Sequence, residues 1–183
     1  MRYLIINCSP VRNGATACLC DMLTRYVREN GQDVQSVCIE DYEMALCRGC
    51  RACHTTGECV TRDGAQQLLA DFEKADRIVC VSPSYWADVP AQFKVFIDRC
   101  TPFSNTHEPR GRLSAGKKGY AAVLRTGPGS AECEKIIACI AHFLGHLDIE
   151  TAGSLALCSI AGKQDLEQKK EQISAFCTEL VKA

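Results

Sequence analysis

The segment MRYLIINCSPVRNGATACL, residues 1–19, begins as an apolar run and continues into a helical pattern. Residues 2–8 contain the short apolar run YLII, which is partly β-branched and predicts a strand. From residue 15 to residue 30, apolar side chains recur at helical spacing, and Gly31 ends the predicted helix. The segment therefore predicts a strand, a polar loop and a helix, which is the first unit of an alternating α/β fold.

The rest of the chain repeats this alternation. Four more strands are predicted at residues 33–39, 76–82, 119–125 and 151–158. Helices are predicted at residues 63–74, 90–101, 131–146 and 165–181, and Asp63 with Gln66 forms a capping-box pattern at the first of these. Five strands and five helices in alternation predict a doubly wound parallel sheet with helices on both faces. We expect one domain over residues 1–183, with a cysteine-rich insertion at about residues 44–62.

Composition narrows the classes of partner. Of the 183 residues, 46% are hydrophobic and 23% are charged, which is typical of a globular protein and not of a disordered one. A net charge of −1 provides no basic field for nucleic acid and no polybasic segment for an anionic membrane. No window approaches eighteen consecutive apolar residues. We therefore expect a cytoplasmic protein that binds neither nucleic acid nor membrane.

Fourteen cysteines are unusually many for this length. Ten of them fall in predicted strands and helices, where free cysteine behaves as a small buried hydrophobe. A disulfide framework would suit a short secreted chain better than this one. The other four lie in the segment CRGCRACHTTGEC, residues 47–59.

The loop CSPVRNGATA, residues 8–17, joins the first strand to the first helix. Its hydroxyls and the backbone N–H groups of a helix N-terminus suit a phosphate group. The glycine patterns of dinucleotide and triphosphate sites are absent. A single terminal phosphate, such as that of FMN, fits better, held by backbone amides and by Ser9, Asn13 and Thr16. The alternative is a plain turn followed by a helix cap.

Two other loops are expected at the same edge of the sheet, where ligands of such folds bind. The segment SPSYWADVPAQFK, residues 82–94, brings Tyr85 and the only tryptophan, Trp86, to the end of the third strand. These side chains could contact a planar ring or could simply cover the core. The segment RTGPGSAE, residues 125–132, contains two glycines that allow the backbone to approach a ligand. Together the three loops favour a mononucleotide site.

The sequence resembles the flavodoxin-like NAD(P)H-dependent FMN reductases, and among them the iron–sulfur flavoproteins. The resemblance is carried by NCSPVRNGAT at residues 7–16, CRGCRACHTTGEC at 47–59, SPSYW at 82–86 and KVFIDR at 94–99. It implies a five-stranded sheet of order 2-1-3-4-5. It implies that the FMN phosphate is held by Ser9, Arg12, Asn13, Gly14 and Thr16. It implies that the isoalloxazine ring is bordered by Pro83, Ser84, Tyr85 and Trp86, with Thr126 and Gly127 nearby.

The cysteine segment has the spacing C-x2-C-x2-C-x5-C, formed by Cys47, Cys50, Cys53 and Cys59. Compact runs of this kind hold cubane clusters in bacterial ferredoxins, and in the iron–sulfur flavoproteins one such motif supplies all four ligands. Three interpretations remain open: a [4Fe–4S] cluster, a loop of free thiols or a disulfide, and a zinc site that includes His54. Gly49 and Gly57 are expected to provide the sharp turns that the loop requires.

The resemblance implies an FMN-dependent oxidoreductase that transfers electrons from NAD(P)H or reduced ferredoxin to a small acceptor such as oxygen, peroxide or a quinone. A [4Fe–4S] cluster, if present, would act as a one-electron relay to FMN. The flavin carries the redox chemistry, so no side chain is assigned as a catalytic acid or base. The resemblance also implies a homodimer or homotetramer. The alternatives are a non-catalytic, flavodoxin-like electron carrier and a zinc-binding regulatory protein on the same fold.

Overall fold

Five parallel strands form one sheet in a computed structural model that describes residues 1–182. The strand order is β2-β1-β3-β4-β5, as the resemblance predicted. The strands are β1 (Arg2–Asn7), β2 (Asp33–Cys38), β3 (Arg77–Pro83), β4 (Lys118–Leu124) and β5 (Glu150–Leu157). The order reverses beside β1, so the loops after β1 and β3 leave the sheet next to each other.

Six α-helices and three 3₁₀ turns connect the strands of the described chain. The helices are α1 (Ala15–Glu29), α2 (Cys53–Thr56), α3 (Gly64–Lys74), α4 (Ala91–Arg99), α5 (Ala131–His146) and α6 (Lys170–Lys182). The 3₁₀ turns are Ile39–Asp41, Thr101–Phe103 and Lys163–Lys169. Helices α3, α4 and α5 pack on one face of the sheet, and α1 and α6 pack on the other.

The central strand β3 explains why its sequence is continuously apolar. Ile78 and Cys80 pack into the core on the face of α3, α4 and α5. Val79 and Val81 pack into the opposite core, under α1 and α6. All four side chains are fully buried. Successive side chains of a strand point to opposite faces, so the middle of a strand covered on both faces is apolar at every position.

The last helix begins later than its sequence pattern predicts. Residues 163–169 form a 3₁₀ turn, and α6 begins only at Lys170. The carboxylate of Asp165 accepts hydrogen bonds from the backbone amides of Ala161 and Gly162, each at 2.8 Å. These bonds tighten the turn that precedes the helix, so the apolar periodicity alone misplaces its start by five residues.

The ten cysteines outside residues 47–59 lie in the packed interior or at its margin. Six are buried and four are partly buried, and all are free thiols. Burial raises the pKa of Cys8, Cys20 and Cys100 well above the ordinary thiol value. These thiols therefore stay protonated and act as small hydrophobic side chains.

No helix within residues 1–182 has both the length and the apolar character needed to cross a bilayer.

Candidate functional site

The loop after β1 is held in shape by Asn7, the last residue of that strand. The Asn7 side chain accepts a hydrogen bond from the Ser9 amide at 3.1 Å and donates one to the Val11 carbonyl at 3.3 Å. The Ser9 hydroxyl accepts from the Val11 amide at 3.1 Å. Sequence reasoning did not select Asn7, although a polar residue that ends a fully apolar strand is a usable signal.

The loop leads into the N-terminus of α1, which has no side-chain cap. Gly14 occupies the N-cap position without a side-chain hydrogen bond, and the first turn contains no acidic residue. Helix α3 differs, because Asp63 caps it and Gln66 completes the predicted capping box. The free amides and positive dipole end of α1 therefore remain available to an anion.

The loops after β1, β3 and β4 meet around a recess of about 200 Å³ at the carboxyl edge of the sheet. Seven of the residues selected from the sequence contribute to its lining: Ser9, Gly14, Thr16, Pro83, Ser84, Tyr85 and Thr126. The remaining lining residues are Val11, Ala15, Leu124, Arg125 and Ile160. Arg12, Asn13, Trp86 and Gly127 are outside this lining. The recess is smaller than a typical pocket for a whole ligand, so an FMN molecule would extend beyond it.

Arg12 makes its contacts away from the recess. Its guanidinium forms an ion pair with Asp41 and donates to the Glu40 carbonyl at 2.8 Å. The hydrogen bond from Arg12 is the main reason that the pKa of Asp41 is lowered. Both side chains are about half exposed, so solvent screens their attraction. A phosphate contact from Arg12 would require the side chain to leave this pair.

Arg125 is a lining residue that sequence reasoning did not select. Its Nη1 donates to the Gly129 carbonyl at 2.7 Å, and its Nη2 pairs with Glu132 at 3.1 Å. Glu132 also accepts from the Ser84 hydroxyl at 2.9 Å, which joins the loops after β3 and β4. Within residues 1–182, the Arg125 Nε is buried without a hydrogen-bond partner. A buried, unpartnered donor is costly unless a ligand supplies the acceptor, so this observation fits a bound cofactor.

The same arginine accounts for the absence of a side chain at position 127. A Cβ atom built at position 127 would lie 2.4 Å from the Nη2 of Arg125, so the guanidinium occupies the space that a side chain would need. The structure therefore gives Gly127 a role in seating Arg125, in addition to the proximity to a ring that the resemblance implies.

Trp86 stands at the tip of a tight turn. Tyr85 and Asp88 exchange both backbone hydrogen bonds, at 2.9 and 3.1 Å, while Trp86 and Ala87 between them have φ of 55° and 58°. A two-residue turn of this kind requires positive φ at both central residues, which is uncommon for bulky side chains. The Trp86 side chain is fully exposed. Trp86 therefore does not cover the core, and its indole is free to contact a ligand or another protein surface.

All four cysteines of residues 47–59 line a second cavity of about 390 Å³, together with Arg48, Arg51 and Arg99. No three His, Cys, Asp or Glu side chains of the described chain lie close enough to hold a single metal ion. Burial, with smaller contributions from Cys59, Cys50 and Cys47, raises the pKa of Cys53. Thiolates are the ligands of metals, so a bound metal would have to displace that proton. A single zinc ion needs its ligands gathered around one point, and these four thiols do not preform such a site.

Arg99 hydrogen-bonds to the residues that flank the cysteine segment on both sides. Its side chain is only 1% exposed and donates to the Ala45 carbonyl at 2.8 Å, the Thr61 carbonyl at 3.0 Å and the Asp63 carboxylate at 2.6 Å. Burial alone would raise the pKa of Asp63, but hydrogen bonds from Arg99, Ala45 and Ala65 outweigh it and the pKa is lowered. Residues 45 and 61 are thus held together at the end of α4.

Two glycines inside the cysteine segment adopt the left-handed conformation that the sequence predicted for its turns. Gly49 has φ of 64° and Gly57 has φ of 74°. Gly57 ends the short helix α2, which the sequence pattern did not predict. A residue with a Cβ atom would be strained at either position.

Comparisons with known proteins identify the family and the relatives of this chain. Residues 1–157 match the family described as NADPH-dependent FMN reductase. An iron–sulfur flavoprotein of Archaeoglobus fulgidus is 34% identical over 124 residues, which cover 68% of this chain and 54% of that protein. The chain thus spans about half the length of this relative.

Solved structures share the fold. An NAD(P)H:quinone oxidoreductase from Methanothermobacter marburgensis superposes with a TM-score of 0.75 and 14% identity, covering 97% of this chain and 94% of that one. An FMN-dependent NADH-azoreductase from Bacillus anthracis, solved in complex with FMN, gives a TM-score of 0.71 and 14% identity, covering 98% of each chain.

Proposed function

The chain belongs to the NADPH-dependent FMN reductase family, and we propose that it is an FMN-dependent oxidoreductase that passes electrons from NAD(P)H or reduced ferredoxin to a small acceptor. The observation that carries this proposal is the recess at the carboxyl edge of the sheet. It combines an uncapped helix N-terminus with the unpartnered Nε of Arg125. An anion at one end and an acceptor atom at the other are what FMN provides.

In this proposal, the amides at the start of α1 hold the FMN phosphate together with Ser9, Gly14 and Thr16. Asn13 and Arg12 lie on the same loop and complete this group. The ring is bordered by Pro83, Ser84, Tyr85 and Trp86, and Thr126 and Gly127 lie beside it. Bound FMN would supply hydride and single-electron chemistry. The chain positions the cofactor, excludes water with the apolar lining and donates hydrogen bonds to its polar edge.

We also propose that Cys47, Cys50, Cys53 and Cys59 hold a [4Fe–4S] cluster. The support is their shared cavity and the three arginines that line it, since their positive charge favours four thiolates and an anionic cluster. A bound cluster would supply one-electron exchange with a ferredoxin-like donor. Without it, NAD(P)H is the direct donor.

The wider proposal is a cytoplasmic homodimer or homotetramer that acts on acceptors such as oxygen, peroxide or quinones. Exposed apolar side chains support association, because Trp86, Leu46 and Val60 are 101%, 71% and 59% exposed. Leu46 and Val60 flank the cysteine segment, and Trp86 follows the recess residue Tyr85, so an interface at either place would cover a candidate site.

Anaerobic purification followed by an absorption spectrum and by analysis of iron, sulfide and zinc tests both cofactors. We expect flavin bands together with about four iron and four sulfide per chain, as a [4Fe–4S] cluster requires. Flavin bands without iron would contradict the cluster and leave the flavin proposal intact. A colourless protein that does not bind added FMN would contradict the flavin proposal.

Mixing the purified protein with NADPH or with reduced ferredoxin under argon distinguishes the donors. Bleaching of the flavin bands by NADPH, followed by steady turnover with a quinone, is expected for the oxidoreductase. Reduction by ferredoxin with no turnover on either nicotinamide would instead identify an electron carrier.

A further inference from the structure

The last turn of α5 carries two histidines with nitrogens in direct contact. His142 and His146 are four residues apart and so lie on one face of the helix. Their Nε2 atoms are 3.0 Å apart, and their rings are nearly perpendicular, at 85°. His146 lies four residues before β5, at the amino edge of the sheet. The pair is therefore at the opposite edge from the recess.

The tautomer of His146 follows from its neighbour Asn105. The Asn105 Nδ2 donates to the Gly145 carbonyl and to the Asp148 carboxylate, each at 3.0 Å. Hydrogen bonds from Asn105 and Arg110 lower the pKa of Asp148, so its oxygens act only as acceptors. The Asn105 amide group is thus fixed with its Oδ1 toward the Nδ1 of His146, at 3.1 Å. The Nδ1 must therefore carry the proton, and the Nε2 of His146 presents a lone pair.

The lone pair of His146 points at the Nε2 of His142. In the metal-free protein, the Nε2 of His142 donates its proton to that lone pair, because two lone pairs would repel at 3.0 Å. Zinc binds imidazole nitrogens at 2.0–2.1 Å, so two such ligands at angles of 90–109° are separated by roughly 2.9–3.4 Å. The observed separation lies in this range, so rotation of the two rings about their side-chain bonds directs both lone pairs at one ion without movement of the helix.

We propose that His142 and His146 form a binding site for a divalent transition metal such as zinc, with Asn105 as its positioning residue. On binding, the proton of His142 leaves Nε2, and through exchange with water a proton occupies Nδ1, so each neutral ring contributes one nitrogen lone pair. Water completes the coordination, because no third His, Cys, Asp or Glu joins these two in residues 1–182. The site is solvent-accessible, so the metal exchanges with solution.

The metal would join two parts of the chain. Asn105 belongs to the connection between α4 and β4, and Arg110 in that connection pairs with Asp148 at 2.6 Å. Hydrogen bonding to the far nitrogen of a histidine ligand commonly changes metal affinity by roughly 10–100-fold. A metal on His146 is therefore expected to stabilise residues 105–110 against the end of α5.

Zinc titration followed by ¹⁵N-resolved NMR of the histidine side chains tests this site directly. The full chain is used with Cys47, Cys50, Cys53 and Cys59 changed to serine, so that thiols do not compete for zinc. We expect the Nε2 signals of His142 and His146 to shift together and saturate at one zinc per chain. His54 and His107 stack on each other beside the cysteine segment, so their signals report separately any zinc held there. Zinc-dependent shifts at His54 or His107 only would overturn the proposal.

Variants distinguish zinc held by both histidines together from zinc held by a single histidine. His142→Gln is expected to weaken zinc binding at His146 at least tenfold, whereas Glu134→Gln, two turns earlier on α5, should leave it unchanged. Asn105→Ala is expected to weaken binding about tenfold and to change the tautomer signature of His146. Equal affinity in His142→Gln and the parent protein would exclude a two-histidine site. Equal affinity in Asn105→Ala would exclude the positioning role.

Discussion

Arg125 shows how one side chain can connect two loops of the recess. It lies at the end of β4, pairs with Glu132 and, through that carboxylate, is connected to Ser84 after β3. Four of its five N–H donors are on Nη1 and Nη2, which contact Gly129 and Glu132, whereas the buried Nε has no partner within residues 1–182. Its position in the recess wall makes it the side chain best suited to recognise an acceptor on the cofactor.

Arg125→Ala is expected to weaken FMN binding about tenfold or more, because a hydrogen bond from a charged donor contributes roughly 1.5–3 kcal/mol. Arg125→Lys should recover only part of this loss, since lysine retains charge without the Nε donor. Titration of the quenching of FMN fluorescence measures the affinity. Arg28→Ala, at the exposed end of α1, is the control. An unchanged dissociation constant in Arg125→Ala would contradict the assignment.

Thr16→Val tests the phosphate end of the recess. Thr16 is 5% exposed and lies in the first turn of α1, so the nearly isosteric change removes a hydroxyl without opening a cavity. We expect FMN affinity to fall about tenfold, as for a lost hydrogen bond to a charged group. Thr24→Val on the same helix is the matched control, because the Thr24 hydroxyl is buried without a described partner. That control should bind FMN as the parent does, and equal affinity in both variants would argue against Thr16 as a phosphate ligand.

The cysteine segment is held in place mainly by contacts with residues outside it. The carbonyls of Ala45 and Thr61, which flank the segment, accept hydrogen bonds from Arg99 on α4. The Asp63 carboxylate accepts from both Arg99 and the Ala45 amide. The four thiols lie between Ala45 and Thr61. The stability of this segment therefore depends on a buried ion pair rather than on its own short helix.

Arg99→Ala is expected to destabilise the protein by about 3 kcal/mol or more, because it leaves Asp63 without its buried partner. Denaturant unfolding measures this, and trypsin cleavage at Arg48 and Arg51 should become faster. Lys94→Ala, which breaks only the exposed pair with Asp98 on the same helix, should change stability by less than about 0.5 kcal/mol. Similar effects of the two variants would show that Arg99 does not hold the segment.

The contribution of Asp63 also predicts a pH dependence. Its pKa in the folded protein is lowered, so its stabilisation is fully present above the unfolded value of about 3.9. The stabilisation is lost as the pH falls below that value and through the folded pKa. The difference in unfolding free energy between the parent and Arg99→Ala should therefore shrink as the pH is lowered from about 5 toward the folded pKa. A constant difference over this range would exclude the ion pair as its source.

The strands and the loops around the recess were predictable because both depend on local pattern. The buried run at β3 and the polar loop before α1 can each be recognised from the local sequence alone. Arg99 and Arg125 were not selected, since their roles come from contacts with residues 36–54 positions away or from a nitrogen left without a partner. The exposure of Trp86 was also unpredictable, because an aromatic residue after a buried strand is equally suited to cover a core. The assignments of FMN and cluster ligands remain predictions.

At the scale of the whole molecule, the first strand is bonded to the last helix. The Tyr3 hydroxyl in β1 donates to the Leu180 carbonyl in α6 at 2.7 Å, inside the core on the α1 and α6 face. Burial is the main reason that the pKa of Tyr3 is raised, so this hydroxyl stays protonated and remains a donor. The bond joins residues 177 positions apart and connects the two ends of the fold.

Tyr3→Phe is expected to lower the free energy of unfolding by about 1–2 kcal/mol, because the Leu180 carbonyl loses its buried donor. Tyr26→Phe is the matched control, since the Tyr26 hydroxyl makes only a 3.5 Å contact with Thr178 at a part-buried position. That variant should remain within about 0.5 kcal/mol of the parent. Thermal or denaturant unfolding of both decides the matter, and a larger loss in Tyr26→Phe would contradict the role given to Tyr3.

Residues 45 and 61 meet at the guanidinium of Arg99, and this arrangement affects how the loop between them can change in sequence and length. A segment whose two ends meet at one fixed point can be lengthened, shortened or exchanged at little cost, because loop-closure entropy changes slowly with length. The sheet and the recess would not have to move. Arg99 and Asp63 therefore provide a fixed attachment point at which a loop of different length or composition can be inserted beside the same fold.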